Sequence, residues 1–235
     1  MTEQPRAWRI VLDRIEADLV AGRLGPGDRL PSERDLVAQL GVGRSSVREA
    51  LRVLEVMGLI RTATGSGPNA GAIVISSPTG GMAALLRLQV AAKGFPIADI
   101  VATRLLLEEW VMRTLASTPD AERDLALAHE TLLAMDDQAL TSTEFLALDA
   151  AYHLALAKAS GNQVVASTME GLRTSIEEYV LDTLTRIPDW DAEAAVLRGE
   201  HHGILEAIEK DDPALAERRV HDHITRYYLT PRVGA

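Results

Sequence analysis

The chain has 235 residues, 47% of them hydrophobic, 25% charged and only 4% aromatic, with no cysteine and a formal net charge of −10. That composition excludes a disordered chain, and a core left to Leu, Ala, Val and Ile favours helix and argues against an all-β sandwich. The lack of cysteine excludes disulfides, Cys-ligated zinc, iron–sulfur clusters and a thiol nucleophile. No apolar run approaches the length of a membrane span, and Glu3, Arg6, Arg9, Asp13 and Arg14 interrupt the N-terminus, so neither a signal peptide nor a membrane helix is expected, and a cytoplasmic protein is.

The charge is unevenly spread: residues 1–75 hold ten Arg, no Lys and nine Asp or Glu, a balance of +1, whereas residues 76–235 carry −11. An arginine-only set of cations in a near-neutral segment suits phosphate, because guanidinium forks match phosphate oxygens. The spacing predicts a first helix over 8–21, stopped by Gly22, and a run of turn residues over 24–30. A second helix opens at Pro31, with Ser32 as cap and Asp35 in the place of the capping-box acid, and ends at Gly41. Ser45 or Ser46 caps a third, whose apolar positions Val47, Ala50, Leu51, Leu54 and Met57 run to Gly58. The period then changes to two β-type runs, 59–63 and 72–75, separated by a Gly-rich loop.

Two helices joined by a tight turn and followed by a hairpin outline a winged helix-turn-helix. Its recognition helix would present Arg44, Ser45, Ser46 and Arg48 at the end that enters the major groove. A three-helix packing unit with solvated arginines has the same periodicity. Residues 76–81 read as a linker, so the chain divides into a DNA-reading domain at 1–75 and a second domain at 82–235. Helices are predicted there at 82–93, 97–117, 120–136, 142–160, 162–187, 190–209 and 212–229, an all-α bundle of about seven.

Four residues of the bundle stand out by helical phase. Asp149 and His153, four apart, share a face with Phe145, Leu146, Tyr152 and Leu156. His201 lies on the apolar stripe of its helix and His202 off it; His223 lies on its stripe and His221 off it. Read singly, each is a hydrogen-bonded core residue. Read together, one carboxylate and three imidazoles suit a divalent transition metal, zinc first and nickel, manganese or iron next, with positions left open for water or ligand. Arg104 poses a similar choice on the face of Ile100, Leu107 and Val111. Glu108 one turn away can neutralise it, and so can a bound carboxylate. His129, His202 and His221 read as surface residues.

The motifs Leu24-x-Pro-Gly-x-x-Leu-Pro-Ser-Glu-Arg34, Leu40-Gly-Val-x-Arg44, Val47-Arg-Glu-Ala-Leu-Arg52 and Leu54-x-x-x-Gly-Leu59 closely resemble the DNA-binding domain of the GntR family of bacterial transcription regulators. The resemblance implies DNA contacts at Arg34, Arg44, Ser45, Ser46, Arg48 and the wing residues Thr64 and Gly65. Gly43 departs from the family's usual Ser or Thr, and the loop to Gly71 is longer than its usual wing. Asp149-x-x-Tyr-His153, Ala159-Ser-Gly-Asn162, Glu200-His201-x-x-Ile-Leu-Glu-Ala-Ile208 and His223-Ile224 resemble the FCD ligand-binding domain of the FadR-type branch. That likeness implies a metal on Asp149, His153, His201 and His223, a small organic acid near it contacted by Arg104, and a dimer. It argues against an acyl-CoA effector, since the acyl-CoA-responsive member lacks this metal set. The expectation is a homodimeric repressor of a pseudo-palindromic operator. The alternatives are a metal-dependent hydrolase or lyase, and a regulator whose metal is only structural.

Overall fold

Helical spacing of apolar residues turns one face of α1 (Ala7–Val20) inward, so Val11 and Ile15 are fully buried. The computed structural model describes residues 6–63, 71–75, 80–92, 94–172, 187 and 189–229. Contacts divide the chain into two units, Met1–Leu85 and Leu86–Ala235. In α2 (Glu33–Leu40) the Ser32 hydroxyl accepts from the Asp35 N–H at 3.2 Å, and Gly41 closes the helix at φ 65°, a left-handed conformation that glycine adopts without Cβ strain.

α3 (Arg44–Val56) begins one residue before the expected serine cap. Gly43 takes the cap position in extended conformation and offers no side chain, so neither Ser45 nor Ser46 caps the helix. Val47, Ala50, Leu51 and Leu54 face the core, while Met57 falls just past the helix and is half exposed. The hairpin pairs β1 (Ile60–Ala63) with β2 (Gly71–Val74), Ile60 opposite Val74 and Ala63 opposite Gly71. Residues 27–30 do more than turn. Arg29 bridges Ile73, and Leu30 N–H donates to the Ala72 carbonyl, so this segment covers the free edge of β2 while Leu30 joins the core.

α4 (Gly81–Ala91) contains the division between the units. Beyond it stand α5 (Ile97–Ser117), α6 (Ala126–Met135), α7 (Ser142–Ala159), α8 (described over 163–172), α9 (Trp190–Glu209) and α10 (Pro213–Leu229). From α4 on, seven α-helices are thus seen among the described residues, and the protein is an N-terminal winged helix-turn-helix with a helical C-terminal domain. Of the expected linker 76–81, residues 76–79 lie outside the described residues and Gly81 already opens α4; of the expected 162–187 helix, residues 173–186 lie outside them and Ile187 is not helical.

The single helix expected over 120–136 is broken. Asp120–Glu122 forms one 3-10 turn, and Arg123 then turns extended. Its buried guanidinium reaches the carbonyls of Ile208 at 2.5 Å and Leu115 at 3.4 Å, together with the Asp211 carboxylate at 2.9 Å. Satisfying carbonyls at the ends of α5 and α9 holds Arg123 out of the helix, a tertiary constraint that local periodicity does not carry.

α5 packs along α10 and against α7 and α9, and α6 packs on α7 and α9. Val111, Met112, Phe145, Tyr152, Leu156, Ile204, Ile208, Val220 and Ile224 are fully buried among them. The start of α7 is set by a capping box between Thr141 and Glu144. Between α9 and α10 the chain reverses through Asp211 at φ 55°, Asp212 as cap and Pro213 in the first turn. His201 and His223 lie at nearly equal distances from this reversal, so the antiparallel pair brings them side by side.

Candidate metal centre and nucleic-acid interface

The outer face of α3 carries the residues expected at DNA. Arg44 and Ser45 are exposed, Ser46 is half-buried, and Arg48 is exposed and paired with Glu33 of α2 at 2.9 Å. Arg34 projects into solvent, 88% exposed, with the Asp35 carboxylate 4.0 Å away. Without a side-chain cap, the first N–H groups of α3 remain open to an acceptor such as phosphate. Glu55 accepts from the Thr62 N–H at 2.9 Å and from its hydroxyl at 2.5 Å, which ties α3 to the first wing strand. Thr64 and Gly65 lie outside the described residues.

In the helical unit the structure brings Asp149, His153, His201 and His223 together. Each contributes one donor atom, and the four atoms lie within 4.8 Å of one another. The three rings have centroids 4.6–5.4 Å apart. His153 Nε2 is 3.2 Å from His223 Nε2, and His201 Nε2 is 2.9 Å from Asp149 Oδ1. That last pair is off the axis an N–H donor needs, and His201 Nε2 makes no hydrogen bond among the described residues. Four buried donor atoms crowded together, three nitrogens and one oxygen, with His201 Nε2 unpartnered among the described residues, fit a borderline divalent ion. His129, His202 and His221 are exposed, each beside a carboxylate: Glu209, Asp136 and Glu109.

The electrostatics keep two of the four donors, Asp149 and His223, in the unprotonated form that metal binding needs. Burial raises the Asp149 carboxyl, but His201, His153 and His223 more than reverse this and hold it well below the usual carboxylate range. Burial pushes the His223 imidazole down to about 4 against the opposing effect of Glu200, leaving it neutral at pH 7. Tyr152, on the same face as His153, donates its hydroxyl to the His201 carbonyl at 3.1 Å and so braces α7 against α9.

Two acids that periodicity did not single out as site residues approach the outer ring nitrogens. Glu200 Oε2 accepts from His223 Nδ1 at 2.8 Å, and Glu108 Oε2 lies 2.5 Å from His153 Nδ1. Burial raises the Glu108 carboxyl, yet the charges of Arg104 and His153 win and hold it at about 2. Arg104 donates to the other Glu108 oxygen at 2.5 Å, so the neutralising partner read from sequence is in place. Arg104, Glu108, Asp149 and His153 also line one cavity, about 20 Å³ in volume, with Ala150, Leu154 and Met169. The helical phase of Glu108, one turn from Arg104 on the same buried face, was the available signal for its approach. Helical phase does not distinguish Glu200 from the other acids of α9; the one signal for it was its place beside His201 in the FCD-like motif.

Family models match both halves of the chain: an FCD domain over residues 99–226 and bacterial regulatory proteins, gntR family, over residues 9–68. The chain belongs to the GntR family. It is 30% identical over 220 residues to the Glc operon transcriptional activator of Escherichia coli (strain K12), covering 92% of this chain and 85% of that protein. It is equally 30% identical over 231 residues to the HTH-type transcriptional repressor NanR of Citrobacter rodentium (strain ICC168), covering 94% and 84%. A GntR structure from Streptococcus agalactiae shares the fold with a TM-score of 0.59, at 24% identity, over 94% of this chain and 97% of that one. This GntR protein is therefore a DNA-binding transcription regulator with an FCD domain, and its relatives are regulators rather than enzymes. No helix among the described residues is long and apolar enough to cross a membrane.

Proposed function

We propose that this regulator is a cytoplasmic homodimeric repressor whose affinity for a pseudo-palindromic operator is set by a small organic acid held beside a divalent metal. The observation that carries the reading is the shared cavity: Arg104 lines it together with Asp149 and His153, two of the four converging donors. Zinc, or nickel, manganese or iron, held by Asp149, His153, His201 and His223 would supply an open Lewis-acid position for a carboxylate oxygen. Arg104 offers its guanidinium to the acid in exchange for part of its hold on Glu108.

A cavity of about 20 Å³ has room for about one water molecule. An organic acid is larger, so its entry must spread the helices that bear these residues. Two helix arrangements with different affinity for the acid are what a ligand-controlled switch requires. At the other end, Arg44, Ser45, Ser46 and Arg48 of α3 read the major groove, with Arg34 and the wing residues Thr64 and Gly65 on the backbone. The functional division is 1–75 for DNA, 76–81 as linker and 82–235 for metal and effector. Relatives of equal similarity are named as activator and as repressor; repression needs only that the operator be occluded, and we assign it on that ground.

The test is operator binding by fluorescence anisotropy against a panel of small carboxylic acids, with and without chelator, beside elemental analysis of untagged protein. About one metal ion per chain and an acid response that chelation abolishes would support the reading. Metal-free protein whose acid response ignores the chelator overturns it. The small cavity also favours a second reading, a purely structural ion, for which chelation lowers stability and no acid moves the operator affinity.

A further inference from the structure

We propose that Glu200 is a positioning residue of the metal centre, which holds His223 in the tautomer that leaves Nε2 unprotonated, and that Arg226 anchors Glu200 in that task. The proposal rests on the metal reading above and concerns residues outside the four donors. An ionised carboxylate can only accept, so the 2.8 Å contact from Glu200 Oε2 to His223 Nδ1 requires the proton to sit on Nδ1. Nε2 then presents a lone pair, and it does so 3.2 Å from His153 Nε2 and among the other donors. That lone pair can accept a proton from His153 Nε2 while the site is empty, or, with His153 Nε2 deprotonated, share a cation with it. A carboxylate on the outer nitrogen of a metal-ligating histidine is also the usual means of fixing its ring and raising its basicity.

What distinguishes Glu200 from a chance neighbour is its own immobilisation. Arg226 of α10 donates to Glu200 Oε1 at 2.5 Å and to Oε2 at 2.9 Å, a two-pronged grip, and a third nitrogen bonds Glu193 at 2.8 Å. These bonds span α9 and α10, the pair that carries His201 and His223, so the acid cannot turn away from the ring without breaking the clamp between the helices. Glu108 makes the corresponding approach to His153 from α5, with Arg104 on its second oxygen. Its contact lies off the N–H axis, which is why the proposal is committed to Glu200.

The experiment compares zinc affinity of the full chain, by competition with a chromophoric chelator at pH 7.5, for wild type, Glu200→Gln, Glu200→Asp and Glu206→Gln. Glu206 is the control, a surface acid of the same helix paired with Lys210 and Arg219. A loss of about 10–100-fold is expected for Glu200→Gln, with partial recovery in Glu200→Asp and no change in the control. Ring nitrogen NMR of the metal-free protein should show His223 as the single tautomer protonated on Nδ1, a preference that the Gln variant weakens. Equal zinc affinity in wild type and Glu200→Gln, or weaker binding with the His223 ring signals unmoved, overturns the positioning role. A wild type that takes up no zinc, nickel, manganese or iron overturns the metal reading instead, and the two failures are thereby distinguishable.

Discussion

Acidification should weaken the metal-free protein through His223 before any of the shifted carboxylates is protonated. In the unfolded chain an imidazole titrates near 6.5, whereas burial pushes that of His223 down to about 4 in the fold. The folded state thus refuses a proton that the unfolded chain accepts. Stability is full above the unfolded value and falls as the pH drops from there to about 4, where the folded ring also protonates. Linkage puts the loss at about 2 kcal/mol by pH 5 and about 3 kcal/mol over the whole window. For a unit of this size that is a fall in Tm of roughly 4–8 °C at pH 5. Asp149, Glu108 and Glu200 are shifted the other way, below 3.8 or 4.5, so their contributions are present above those values and are lost only at lower pH. The interval from 7.5 to 5 therefore isolates the histidine among these groups. Urea unfolding followed by helix signal, with chelator, at pH 7.5, 6 and 5 would measure it in wild type and His223→Gln. The variant should have the shallower pH dependence by about 2 kcal/mol. Parallel curves for the two proteins would refute the buried-neutral assignment of His223.

Arg44→Ala should reduce operator binding to the non-specific level, read by anisotropy against competitor DNA, while zinc uptake in the same preparation stays at the wild-type value. Arg34→Ala should leave sequence preference intact and flatten the salt dependence of binding, by about 0.9 in log–log slope for each phosphate no longer neutralised, or about 1.8 for a dimer. Arg123→Ala removes a buried guanidinium that bonds two helix-end carbonyls and should lower the stability of the helical unit by about 2–3 kcal/mol in a urea titration, without moving the operator affinity of the folded protein.

The period of its apolar residues and the chemistry of its turns made much of this chain legible from local order alone. The stops at Gly22, Gly41 and Gly58, the Ser32 cap and the change to β-type runs after Gly58 are local properties, set by φ preferences and by side chains within one or two turns of the backbone. Helical phase alone separated His201 from His202 and His223 from His221, because a residue's direction on a helix follows from its number. What lay beyond that range was decided by tertiary contact. Whether inward residues on α7, α9 and α10 meet depends on how three helices pack, and the short reversal at Asp211 and Asp212 sets the α9–α10 half of that arrangement. The break at Arg123 comes from carbonyls on α5 and α9, and the cover on β2 from residues 27–30, both distant in sequence from the partners they satisfy. Glu200 is one acid among several on α9 until α10 brings His223 Nδ1 and the Arg226 fork to it. Periodicity states which side of a helix faces in, and only the packed helices state what it faces.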